Sequence, residues 1–104
     1  MSLEIKKQYD KENSFWDIEL IGDVDIQSSS SLKEEINLML NEVETDLIID
    51  CTDLSYIDST GLGVLIGVLK RVKNVQKEIT IINAQSNIKK LLNITGLDKI
   101  FRIK

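Results

Sequence analysis

The run from Leu47 to Lys73, LIIDCTDLSYIDSTGLGVLIGVLKRVK, constrains this chain more than any other stretch. It opens on Leu47-Ile48-Ile49 and ends that apolar run on Asp50, the pattern of a buried strand leaving a core. A polar loop follows, then Asp58-Ser59-Thr60-Gly61, then a long apolar segment from Leu62. Strand, loop and helix in that order place Asp58, Ser59 and Thr60 at a helix N-terminus. The first-turn N–H groups there have no intrahelical partner, and the helix dipole favours negative charge. A hydroxyl at such a position can cap the helix, be modified, or do both.

The helix carries an anomaly. At about 100° per residue, Leu62, Val64, Leu65, Ile66, Val68, Leu69 and Val72 cover an arc of roughly 200°, so most of the helix faces a core. The remaining side holds Gly63, Gly67, Lys70 and Arg71, with Ser59 close to the line of the glycines. Two interior glycines cost the helix roughly 1 kcal/mol each against alanine. Bare backbone on that face implies a close neighbour, either a second helix of the same chain or another protein.

The whole chain bounds the rest. Its 104 residues make one domain, 1–104, large enough to fold around a single core without metals or disulfides. The net charge of −4 argues against nucleic acid, because phosphate binding needs a basic face. Cys51 stands alone and has no disulfide partner within the chain, which fits a reducing cytosol. The opening MSLEIKKQYDKE has no apolar h-region, and Gly61–Leu69 is far short of the ~20 residues of a membrane span. A cytoplasmic protein with no membrane partner is expected. The chain contains no histidine, so Ser59 has no imidazole to activate it as a nucleophile. One cysteine and no histidine leave only hard oxygen ligands, which argues against zinc.

Read in order, residues 3–9 alternate weakly and form a first strand at an edge. Asp10 to Ser14 is a polar turn, and Trp16, Ile18 and Leu20 alternate with Asp17 and Glu19 as the hairpin partner strand. Ile21-Gly22-Asp23-Val24-Asp25 ends that strand and brings two carboxylates into a turn. The serine run 28–31 starts a helix carrying Leu32, Ile36, Met39, Leu40 and Val43 on one face. The strand at 47–50 and the central helix follow, then a strand at 79–82 and a short helix with Ile88, Leu91 and Leu92. Gly96 stops that helix, and 100–103 form a last strand or strand-like tail. The order is β-β-α-β-α-β-α-β: an α/β fold with a mixed sheet, antiparallel in its opening hairpin and parallel through right-handed crossovers after it.

Several sharper readings fail on spacing. In Gly61-x-Gly63-x-x-x-Gly67 the third glycine comes one residue late for a dinucleotide fingerprint, and the loop before it is too long for that turn. No Gly-Lys-Ser/Thr follows a glycine-rich turn, which excludes a P-loop. Asp50 sits where a receiver-type phospho-acceptor would, but no suitable lysine follows a later strand, so it reads as a structural carboxylate bonding loop amides. Ser59 itself could be a plain N-cap, Cys51 a small buried side chain, and Asp25 a strand terminator.

Asp58-Ser59-Thr60-Gly61-Leu62-Gly63, preceded by Asp53-Leu54-Ser55-Tyr56-Ile57, closely resembles bacterial anti-sigma-factor antagonists of the STAS family. The resemblance extends to Gly22-Asp23-Val24-Asp25 and to Asn93-Ile94-Thr95-Gly96-Leu97, covering nearly the whole chain in the right order. It implies a single STAS domain and a non-enzymatic switch. The partner would be an anti-sigma factor that is also an ATP-dependent serine kinase, and a PP2C-type phosphatase would reverse the modification. It makes Ser59 the phospho-acceptor, and Asp25, Asp58, Thr60, Gly61, Leu62 and Gly63 the contact residues, in a protein that is a monomer when free and needs no cofactor. Asp23 in place of the frequent glutamate, the serine run and Cys51 depart from the common pattern without touching the acceptor motif. Within the same fold, the alternative is a non-switching STAS scaffold in a transporter or signalling assembly.

Overall fold

The computed structural model describes residues 2–104. In chain order the elements are β1 (Leu3–Asp10), β2 (Phe15–Val24), α1 (Ser29–Glu42), β3 (Asp46–Asp50), β4 (Leu54–Ile57), α2 (Ser59–Lys73), β5 (Ile79–Ile82), α3 (Ser86–Ile94), a 3-10 turn (Leu97–Lys99) and β6 (Arg102–Ile103). The sheet runs β1-β2-β3-β5-β6, with β1 antiparallel to β2 and the remaining pairs parallel. The mixed sheet and its opening hairpin match the sequence expectation. The element order differs in one respect: a further strand, β4, lies inside the stretch read as a polar loop.

Burial follows the strand period. Trp16, Ile18, Leu20, Leu47, Ile49, Ile79 and Ile81 are buried, while Asp17, Glu19, Ile48, Asp50, Thr80 and Ile82 between them stay exposed or half-buried. Each parallel strand is added on the same side of the last, so crossovers of one hand lay the helices on one face of the sheet. From that face α1 contributes Leu32, Ile36, Met39 and Leu40, and α2 contributes Leu62, Leu65, Val68, Leu69 and Val72. Arg71 is not on the free side of α2. It donates to Asn37 Oδ1 at 2.9 Å and Asn41 Oδ1 at 2.8 Å, and its Nη2 lies 3.1 Å from Glu44 Oε2, pinning α2 against α1.

The end of β2 sets the position of β4 and of the turn into α1. The strand runs through to Val24, so Asp23 is a buried strand residue and, of the two carboxylates expected in the turn, only Asp25 reaches it. Gly22 pairs with Leu3 on one side and Leu54 on the other, which puts β4 beside β2 in line with β3. The register shifts between Gly22 and Asp23, where Gly22 takes φ +108°. Only glycine adopts that conformation without strain. The serine run does start α1, with Ser28 at the cap position. Its hydroxyl, however, donates to Asp23 O at 3.0 Å and accepts from Asp25 N at 2.9 Å, fastening the turn rather than the helix.

Candidate functional site

Asp58 decides how α2 begins. Its own N–H donates to Val24 O at 3.1 Å, closing β4 against β2, and its backbone is extended at φ −103°, ψ −174°. From there Oδ1 accepts from Thr60 N at 3.0 Å, Gly61 N at 3.1 Å and Thr60 Oγ1 at 2.6 Å. The Thr60 hydroxyl first, then the Gly61 amide, with the Thr60 and Ile26 amides adding, hold this carboxyl below the usual carboxylate range. A depressed folded-state value contributes stability that is present above the unfolded value of about 3.9 and is lost as pH falls through the folded value. Asp10, Asp50 and Glu78 are held low as well, so melting temperature is expected to hold from neutral pH to about pH 5 and then fall, with Asp58→Asn making that acid limb shallower but not removing it. A variant with an unchanged acid limb would mean that Asp58 is not among the groups the acid titrates.

Ser59 is the first residue of α2, not its cap. It is exposed, and among the described residues its hydroxyl has no hydrogen-bond partner. Ser59, Gly63 and Gly67 recur every four residues and share one exposed stripe. A Cβ on Gly63 or Gly67 would meet nothing within 4 Å, so a second helix of the same chain does not account for them. Gly61 is the opposite case. It is buried, and its Cβ would stand 2.5 Å from Val24 Cγ1 and 2.7 Å from Ile57 Cγ1. Gly63→Ala and Gly67→Ala are each expected to stabilise the domain by roughly 1 kcal/mol in urea unfolding. A loss of stability in either would reveal a neighbour that the fold does not contain.

Two surfaces flank Ser59. On one side Val24 pairs with Ile57, so the loop starting at Asp25 emerges beside the start of α2. Asp25 Oδ1 accepts from Gln27 N at 3.0 Å and Ser28 N at 3.1 Å, which turns the chain into α1 and leaves Ile26 73% exposed at the crest. On the other side a cleft of about 480 Å³ opens between the first turn of α2 and α3. Tyr56, Ile57, Leu62, Ile88 and Leu91 give it an apolar lining, with Ser59 at the rim. Two other polar groups of the lining bond within the fold: Asn87 Nδ2 to Ser55 O at 3.0 Å and Thr95 Oγ1 to Leu91 O at 2.8 Å. Apolar area is what this cleft offers an incoming group. Tyr56, half exposed, and Leu91 were not singled out by sequence, because only the packing of α3 beside β4 brings them to Ser59. Ile26 was missed for a similar reason: nothing in its neighbours marks it as a crest.

The structure thus brings Asp25, Asp58, Ser59, Thr60, Leu62 and Gly63 to one end of the sheet, with Leu62 on the cleft floor and Gly61 packed inside. Asp50 lies apart, accepting from Thr52 N at 3.0 Å, Thr52 Oγ1 at 2.6 Å and Asn83 Nδ2 at 3.4 Å, as a structural carboxylate should. Cys51 is buried, and that burial, with the Asp50 charge adding, pushes its thiol up to about 12. It is expected to resist iodoacetamide at pH 8 in the folded protein and to alkylate in denaturant; fast native labelling would contradict its burial. Among the described residues no group of three or more His, Cys, Asp or Glu is disposed to hold a metal, and no helix is long and apolar enough to cross a membrane.

Comparison with known proteins places this arrangement. Residues 6–104 match the family model of the STAS domain. The anti-sigma-B factor antagonist of Listeria monocytogenes is 34% identical over 104 residues, covering 100% of this chain and 89% of that one. An anti-sigma factor antagonist from Mycobacterium paratuberculosis superposes with a TM-score of 0.86 at 18% identity, over 98% of this chain and 85% of that one. The Bacillus cell fate determinant SpoIIAA in its phosphorylated form gives a TM-score of 0.74 at 19% identity, over 99% of this chain and 91% of that one. These two solved structures share the fold. With a family match across nearly its whole length and a full-length relative above 30% identity, the chain belongs to the STAS domain family, among relatives named as anti-sigma-factor antagonists.

Proposed function

We propose that this protein is an anti-sigma-factor antagonist switched by phosphorylation of Ser59. The unmodified domain docks on an anti-sigma factor through the first turn of α2, the Ser59–Gly63 stripe and the cleft beside it, and so frees a sigma factor. Asp25, Asp58 and Thr60 frame that surface, while Leu62 and Tyr56 offer it apolar area. Close approach at Gly63 meets no side chain, which suits backbone-to-partner docking.

The partner is itself the kinase in this reading. Ser59 Oγ attacks the γ-phosphorus of ATP, an O–P bond forms, the bridge to the β-phosphate breaks, and ADP leaves. The hydroxyl proton passes to a base on the kinase. This chain has no histidine to take it, and Asp58 already accepts three hydrogen bonds at Oδ1. A PP2C-type phosphatase returns the protein to its binding form. All of this takes place in the cytoplasm, where ATP and sigma factors are.

The observation that carries the reading is an exposed, unbonded hydroxyl on the first residue of a capped helix, in a chain of this family. Its test is intact-mass analysis and peptide mapping after incubation with an anti-sigma factor and ATP. One added phosphate on Ser59, absent from Ser59→Ala, is the expected result. A chain that binds the anti-sigma factor but takes up no phosphate would instead be a non-switching scaffold.

A further inference from the structure

We propose that Asp58 acts as a positioning residue for the modified state: it keeps a phosphate on Ser59 out of the helix cap and standing in solvent. This deepens the reading of Ser59 as the acceptor and rests on it. A phosphate at the start of a helix would ordinarily bind the free amides of the first turn. Here those amides are taken. Thr60 N and Gly61 N both donate to Asp58 Oδ1, and Leu62 N donates to Asp58 O at 3.0 Å. Only the amide of Ser59 itself is left over.

Nor do the adjoining cleft and the helix itself offer a counter-charge near Ser59. Among the described residues no lysine or arginine lines the adjoining cleft, and the basic residues of α2 are Lys70, Arg71 and Lys73 in its last turn. The Asp58 carboxylate directly precedes Ser59, and the loop that begins at Asp25 leaves β2 beside the start of α2. A dianion added there finds one carboxylate beside it and no vacant nest. Phosphorylation then leaves the fold in place, and its charge stays where a docking partner has to bury it.

The test installs phosphoserine at 59 by genetic-code expansion, in the otherwise native chain and in Asp58→Ala and Asp58→Asn. Because no kinase is involved, its outcome is separate from whether a partner modifies Ser59. Phosphorus-31 NMR titration reads the second pKa of the phosphate, and proton–nitrogen spectra with and without phosphorus decoupling read whether the Thr60 and Gly61 amides bond to it. In the native chain the phosphate is expected to titrate at or above about 6, with neither amide coupled to its phosphorus across a hydrogen bond. In Asp58→Ala the freed amides should bind the dianion, lowering its pKa by about half a unit or more and coupling both amides to the phosphorus across the new hydrogen bonds. Melting temperature should rise on phosphorylation of Asp58→Ala and not in the native chain. Asp58→Asn retains a neutral cap and should lower the phosphate pKa by less than alanine does. Coupling of both amides to the phosphorus in the native chain would overturn the proposal, because it would mean that the phosphate displaces Asp58. That measurement does not depend on either variant folding. Equal phosphate pKa values in the native and alanine chains would overturn it as well.

Discussion

Ser59→Asp is expected to leave a folded domain that binds its anti-sigma factor about a hundredfold more weakly, or worse. The fold should survive because residue 59 is exposed, its side chain bonds nothing among the described residues, and it begins a helix, where a carboxylate is tolerated or mildly favourable. Binding should not survive. A charge buried against a partner with no counter-charge costs on the order of 3 kcal/mol or more, which is a factor of about 100 in affinity. Phosphate brings about −1.5 to −2 charges rather than one, so the modified protein should be released at least as completely. Circular dichroism and calorimetric titration of the same preparation separate the two effects. A folded Ser59→Asp that bound as tightly as the native chain would remove charge as the basis of the switch. Ser59→Ala serves as the companion, binding normally and staying bound in the presence of ATP.

The second large effect is on stability and comes from Gly61. Overpacking a filled core costs typically about 1–3 kcal/mol. A methyl at Gly61 would stand inside contact distance of two packed side chains, Val24 and Ile57, on strands that are themselves hydrogen-bonded. Against this runs the gain of alanine over glycine in a helix, up to about 1 kcal/mol. The net expectation for Gly61→Ala is a destabilisation of roughly 1–2 kcal/mol, or about 5–15 °C in melting temperature for a domain of this size. Its sign is opposite to that expected for Gly63→Ala two residues away. Equal or greater stability in Gly61→Ala would show that β2 and β4 yield to the methyl, and that the glycine is there for another reason.

These contrasts mark where the sequence was readable. The alternation at Trp16–Leu20, the apolar runs at 47–49 and 79–82, and the helical spacing of α1 and α2 each carry a strong period, and each became the element expected. β4 carries none. It has four residues, buried at both ends and exposed at Ser55 and Tyr56, so neither alternation nor a continuous apolar run announces it. The extension of β2 to Val24 is masked by its bulge, since Gly22 is a better turn residue than a strand residue. At the site, Asp58 and Ser59 are adjacent and both are good caps; only the backbone path set by the Asp58 N–H on Val24 O decides between them. On a helical wheel Gly63 and Gly67 lie together and Gly61 nearly opposite, but only the packing shows that Gly61 is pressed against Val24 and Ile57 while the other two meet nothing. The cleft was out of reach altogether, because its far wall is α3, about thirty positions further along the chain.

The division of α2 into a seated side and a bare side also has an evolutionary meaning. Leu62, Leu65, Val68, Leu69 and Val72 hold the helix on the sheet, whereas Ser59, Gly63 and Gly67 take no part in that packing. Under the docking proposed above, substitutions along the bare stripe would alter which partner is recognised without unseating the helix. A genome that carries several such domains can keep their signals insulated from one another by rewriting a few solvent-facing positions, while the folding instructions of the family pass on unchanged.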